Sequence, residues 1–98
     1  MEFAKVCGQV VASIRADRVE GPCYLLVDLC SPKGERRGDF LVALDQYGAG
    51  AGEMVMISQG SSVRQTEQTS QTGVDALIIG IVDLVEANGS VVYDKKQN

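Results

Sequence analysis

The residues with the most obvious chemical potential lie in one stretch, DQYGAGAGEMVMISQGSSVRQT, residues 45–66. Gly48, Gly50 and Gly52 alternate with small residues, as in loops that cradle phosphate. A P-loop, however, requires a lysine directly after its last glycine to meet the phosphates, and none follows here. The dinucleotide fingerprint spaces its glycines G-x-G-x-x-G and opens a helix whose N-terminal amides hold the anion. These glycines are spaced by two throughout, and the residues after them, EMVMIS, read as a strand. What remains is glycine as a backbone device: a tight connection between strands, or a surface where a second chain comes too close for side chains.

Nucleophilic chemistry fares no better. Ser61 and Ser62 would need a general base, and the chain contains no histidine. Lys5, Lys33, Lys95 and Lys96 stand outside any Ser-Lys motif. Ser61 reads instead as the cap of one helical turn over residues 61–65. Arg64 reads as a surface residue or as an interface anchor, since arginine is enriched at protein contacts. Asp75 and Asp83 are eight positions apart, roughly 26 Å along an extended strand at about 3.3 Å per residue, too far to act as a dyad. Asp28, Asp45 and Asp83 read as solvated or hydrogen-bonded positions. Cys7, Cys23 and Cys30 are odd in number and lack C-x-x-C spacing, so they read as small buried hydrophobes of a reducing compartment, with a metal site as the alternative. The absence of histidine excludes His-based triads and His-ligated zinc. The basic group Lys33, Arg36 and Arg37 is offset by Glu35 and Asp39 and reads as a solvated loop.

The elements that must position these residues are strands. Ninety-eight residues make one domain, assigned to residues 1–94 with a polar tail over 95–98. Hydrophobic residues at 45% and charged residues at 22% are ordinary for a globular chain. A net charge of −4 argues against nucleic acid, which needs clustered Lys and Arg. No apolar run approaches the roughly 20 residues of a membrane span, and the N-terminus has no signal-peptide pattern. Period-two alternation predicts strands over 5–15, 24–30, 39–44, 53–58 and 74–87. The first would carry Val6, Gly8 and Val10 on one face. Charged or polar connections fall at 31–38 and 65–72, with a turn at 16–22. Asn88-Gly89 is a hairpin signal, because both residues tolerate the positive φ of a type I′ turn, and residues 90–93 form the return strand. Short strands without room for crossover helices imply an antiparallel sheet, and closure into a small barrel removes its exposed edges. Gly8 and Gly80, inside strands, suit tight curvature.

Taken together, Asp45, the Gly48-Ala49-Gly50-x-Gly52-Glu53 run, Gly60-Ser61-Ser62-x-Arg64 and the segment VDALIIGIVDLVE resemble the EutN/CcmL family of bacterial microcompartment vertex proteins. The opening KVCGQVVAS and the segment YLLVDLCSPKGERRGDFLVALD fit the same family in order and spacing. The resemblance implies an all-β fold: a small antiparallel five-stranded OB-like β-barrel with a short helical turn and a C-terminal hairpin. It implies a homopentamer that joins hexameric shell proteins at the vertices of a compartment in the bacterial cytoplasm, with no catalytic residue, metal or cofactor. By analogy, Gly60, Ser61, Ser62 and Arg64 are expected at the subunit interface or pore rim, followed by Asp45, Gly48, Gly50 and Glu53. Glu53 is a candidate to pair with Arg64. The rival readings are an OB-like nucleic-acid or ligand-binding module, disfavoured by the acidic charge and scarce aromatics, and a small enzyme or metal module built on the cysteines.

Overall fold

In the computed structural model, described here for residues 1–11, 23–59 and 76–97, the chain is built almost entirely from strands. They are β1 (Glu2–Val10), β2 (Cys23–Cys30), β3 (Arg36–Asp45), β4 (Met54–Gln59), β5 (Ala76–Ile81), β6 (Leu84–Ala87) and β7 (Ser90–Asp94), followed by a 3-10 turn, Lys95–Gln97. The first five close into a barrel in the order β1-β2-β3-β5-β4, and β6 and β7 form a separate two-stranded sheet. The expected turn at 16–22, helical turn at 61–65 and polar loop at 65–72 lie outside the described residues.

Barrel closure has one consequence for strand direction. A closed ring with an odd number of strands cannot alternate all the way round. Four seams are antiparallel, as expected, and the fifth, β3 against β5, is parallel, with Leu44 paired to Leu77. Side chains from every strand fill the interior: Ala4 and Val6 from β1, Leu25, Val27 and Leu29 from β2, Ala43 from β3, Val55 and Ile57 from β4, and Ala76 and Ile78 from β5. Small and branched residues dominate because a five-stranded barrel leaves room for little else.

Three register shifts mark the barrel wall, at Val6/Gly8, Asp28/Cys30 and Met56/Ile57, and the first and last fall beside the strand glycines Gly8 and Gly80. In β1 the pairing with β2 moves from Val6↔Val27 to Gly8↔Leu26, so Cys7 is an extra residue. This bulge overturns the expected single face for Val6, Gly8 and Val10. Val6 points into the core, whereas Gly8 and Val10 pair with the outward-facing Leu26 and Tyr24. Between β4 and β5, Met56 pairs with Gly80 and Ile57 with Ile78. A Cβ on Gly80 would stand 3.1 Å from the Met56 methyl, so here glycine permits a close approach.

Three strands differ from expectation in extent, among them β3, which begins at Arg36 rather than residue 39 and takes in the end of the expected loop over 31–38. β1 begins at Glu2 rather than residue 5, because Glu2, Phe3, Ala4 and Lys5 pair with β4. The run expected as one strand over 74–87 is broken after Ile81. The Val82 amide donates to the Met54 carbonyl at 2.8 Å and Asp83 turns outward, which lets β6 leave the barrel. The hairpin returns across Asn88 (φ +54°) and Gly89 (φ +79°), the left-handed pair that the sequence signals. Its inward face lies on the barrel wall. Val85 and the buried Tyr93 pack with Cys30, Met54, Val82, Phe3 and Met56, and the Lys5 ammonium sits 5.5 Å from the Tyr93 ring centroid.

Candidate functional site

The glycine stretch between β3 and β4 is organised by the two carboxylates that flank it. Asp45 ends β3, is 5% exposed, and accepts hydrogen bonds from the amides of Tyr47 and Ala49, each at 2.9 Å. An aspartate that bonds amides two and four residues ahead folds the chain back on itself. Gly48 and Gly52 adopt φ of +80° and +85°, which disfavours any side chain at these points. At the far end, Glu53 Oε1 accepts from the Gly50 amide at 2.5 Å, and the Glu53 amide donates to the Gly50 carbonyl at 3.1 Å. The loop is stitched to β1, since the Gly52 amide donates to the Val6 carbonyl at 2.8 Å and the Val6 amide to the Glu53 carbonyl at 2.9 Å. Beneath it lies a depression of about 330 Å³ at the barrel mouth, lined mainly by Val6, Gln9, Leu25, Asp45 and Ala49.

This geometry is unsuited to holding phosphate. The amides of Tyr47, Ala49 and Gly50 already serve anions, and the chain supplies those anions itself as Asp45 and Glu53. A phosphate would have to displace one carboxylate and approach the other. Beyond the exposed Gln46 and Tyr47, the loop presents Gly48, Gly50, Ala51 and Gly52 to the surface, where no side chain is larger than a methyl.

Glu53 has a second partner. Its Oε2 lies 2.5 Å from Lys95 Nζ, which also stands 3.9 Å from Asp83. The Lys95 ammonium, reinforced by the Gly50 amide, holds the Glu53 carboxyl below its usual range, and Glu53 in turn raises the Lys95 pKa. The Lys95 amide donates to the Asp83 carbonyl at 2.9 Å. The beginning of the polar tail is therefore tied to the glycine loop. Nothing in the sequence around Lys95 signals this contact, because only the fold brings residues 53 and 95 together.

Of the residues expected at an interface, Asp45, Gly48, Gly50 and Glu53 are thus gathered in one loop. Gly60, Ser61, Ser62 and Arg64 lie outside the described residues, as does the expected Glu53–Arg64 pair; the Glu53 carboxylate is engaged here by Gly50 and Lys95.

A further buried carboxylate is structural. Asp28, on the outward face of β2, is 1% exposed and accepts from Arg36 Nε at 2.8 Å and the Asp39 amide at 2.9 Å. Its pKa is lowered, chiefly by the Arg36 hydrogen bond and then by the Asp39 amide, against the opposing effect of burial. Arg36, expected in a solvated loop, is instead the partner that lets this carboxylate stay charged. Cys7 and Cys30 are free thiols, and burial raises the Cys30 pKa. Among the described residues no group of three Cys, Asp or Glu side chains is placed to hold a metal ion, and no helix is long and apolar enough to cross a membrane.

The family described as "Ethanolamine utilisation protein EutN/carboxysome" matches residues 1–83. This chain belongs to that EutN/CcmL family. Among its relatives is the "Bacterial microcompartment shell vertex protein EutN" of Escherichia coli K12, 39% identical over 95 residues, covering 97% of this chain and 100% of that one. The solved structure of CcmL from Gloeobacter violaceus superposes with a TM-score of 0.88 at 36% identity, covering 98% and 99% of the two chains. A GrpN "pentameric microcompartment shell protein" from Rhodospirillum rubrum superposes with a TM-score of 0.77 at 39% identity, covering 89% and 99%. The family match ends at Asp83, where β5 gives way to the hairpin.

Proposed function

We propose that this chain is a structural shell protein. Five copies form a ring that closes the vertices of a bacterial microcompartment, alongside hexameric shell proteins and within the cytoplasm, and the ring catalyses no reaction. The observation that carries this reading is similarity over nearly the whole chain to shell vertex proteins, together with the same fold in a relative described as pentameric. Geometry supplies the reason for the fold's use. Hexagonal tiles cover a plane, and a closed shell requires pentagonal positions. A five-membered ring is a closed heterologous assembly, in which one patch of each subunit binds a different patch of the next.

In this reading the glycine loop is a contact surface. Asp45 and Glu53 hold its backbone in one shape, and Gly48 and Gly50 leave room for a neighbouring backbone. Gly60, Ser61, Ser62 and Arg64 belong to the same interface or to the rim of the central opening.

The test is co-assembly. With a hexamer-forming shell protein chosen because it assembles into sheets on its own, adding this chain should convert the sheets to closed polyhedra visible by electron microscopy. Unchanged sheets, with the chain left in solution, would contradict the reading.

A further inference from the structure

Seven large hydrophobic side chains are well exposed among the described residues, and four of them fall into two pairs. The first pair is on the hairpin. Directly opposed residues of two strands share a face, and successive residues alternate. Val85 pairs with Tyr93 on the barrel-facing side, so Leu84 and Glu86 face away. A register shift between Val85 and Glu86 leaves Val92 as an extra residue and breaks the alternation on β7, so Val91, opposed to Glu86, faces away with them. Leu84 is 48% exposed and Val91 54%. An isolated two-stranded sheet is marginal, and this one is supported on its inward face by the barrel. The outward face carries Leu84 and Val91 beside the acids Asp94 and Glu86, with Lys95 and Lys96 bordering Leu84.

The second pair is Phe40 and Val42 on β3, 51% and 45% exposed. They lie opposite Asp28 and Leu26 on the outward side of the barrel. Leu44, the next residue on that face, is fully buried with Leu77, so apolar cover stops short of Val42. The Arg36 guanidinium lies 5.9 Å from the Phe40 ring centroid and keeps half of its side chain exposed.

The hairpin lies over the seam of β1 and β4, and the second patch lies over β2 and β3, on another side of the barrel. We propose that the outward face of the β6–β7 hairpin, centred on Leu84 and Val91, docks on the outward face of β3, centred on Phe40 and Val42, of a second copy of this chain. This rests on the ring proposed above, because a heterologous ring needs two different patches on one subunit, and these are two paired apolar patches among the described residues. Charge agrees, since Glu86 and Asp94 share the hairpin face, while the half-exposed Arg36 guanidinium, which meets Asp28 through Nε, flanks the β3 patch. The contact would fasten each subunit's hairpin to its neighbour's barrel.

A double-mutant cycle on the full chain tests the pairing. Native mass spectrometry across a dilution series reads the concentration at which half the subunits are in rings. Leu84→Asp and Val42→Lys are each expected to raise that concentration about tenfold or more, as for buried apolar contacts at an interface. The double variant is expected to lose much less than the product of the two, because touching residues couple. Circular dichroism and the urea midpoint of each dissociated variant confirm that the barrel is intact. Independent, multiplying effects would show that the patches do not meet. Intact rings in both single variants would overturn the proposal, and if shell incorporation fell at the same time they would assign the faces to another shell protein. A wild-type protein that forms no ring of five overturns the ring itself.

Discussion

Replacing Asp45 by alanine tests whether the glycine loop is shaped by its own carboxylates. The substitution removes two charge-assisted hydrogen bonds of 2.9 Å, to the amides of Tyr47 and Ala49. Bonds to a charged acceptor contribute about 1.5 kcal/mol or more each. The Tyr47 amide lies at an exposed residue and can be rehydrated, while Ala49 is half-buried and packs against the core. The net loss is then about 2–3 kcal/mol, and Asp45→Asn, which keeps one acceptor oxygen, should lose about half of that. Asp83→Ala is the control. Its side chain is 85% exposed, and such substitutions change stability by about 0.5 kcal/mol or less. Urea denaturation with constant m-value measures all three, at several protein concentrations because assembly contributes to apparent stability. If Asp45→Ala is no more costly than Asp83→Ala, the carboxylate does not organise the loop and the account of its occupied amides fails.

Three further outcomes follow from the same geometry. Gly52→Ala should cost about 1–2 kcal/mol through backbone strain alone: φ is +85°, yet a Cβ there meets nothing within 4 Å. A neutral result in urea denaturation would contradict the assigned conformation. Asp28 has a depressed pKa in the folded state, so its contribution is present above its unfolded value near 3.8 and is lost as pH falls through the lower folded value. Stability of wild type should therefore fall in that acid window more steeply than that of Asp28→Asn, and equal slopes would refute the Arg36 pairing. In Lys95→Ala, the Glu53 carboxyl should titrate closer to its ordinary value by NMR while remaining depressed by the Gly50 amide; an unmoved titration would rule out the tail contact.

Much of the fold was legible because burial in a barrel imposes period two on the strands. The alternation of Leu25, Val27 and Leu29, and the Asn88-Gly89 turn, locate their elements directly. Gly8 and Gly80 marked where the wall bends, but local pattern could not show how the bends redirect the side chains. The bulge at Cys7 reverses the faces of Gly8 and Val10, and its cause is the register with β2, which is a property of pairing rather than of local sequence. The same holds for the break after Ile81, where an apolar run continues in sequence but leaves the barrel in space. In the site, the glycines and Asp45 marked the loop, and their failure to match phosphate motifs was informative. The partners Lys95 for Glu53 and Arg36 for Asp28 depend on the tertiary fold.

Stoichiometry is the most direct test of the central claim that identical barrels close into a five-membered ring. Native mass spectrometry of the purified 10.5-kDa chain should show one dominant species of about 52 kDa. A stable monomer, or a ring of any other order under near-physiological conditions, would contradict it.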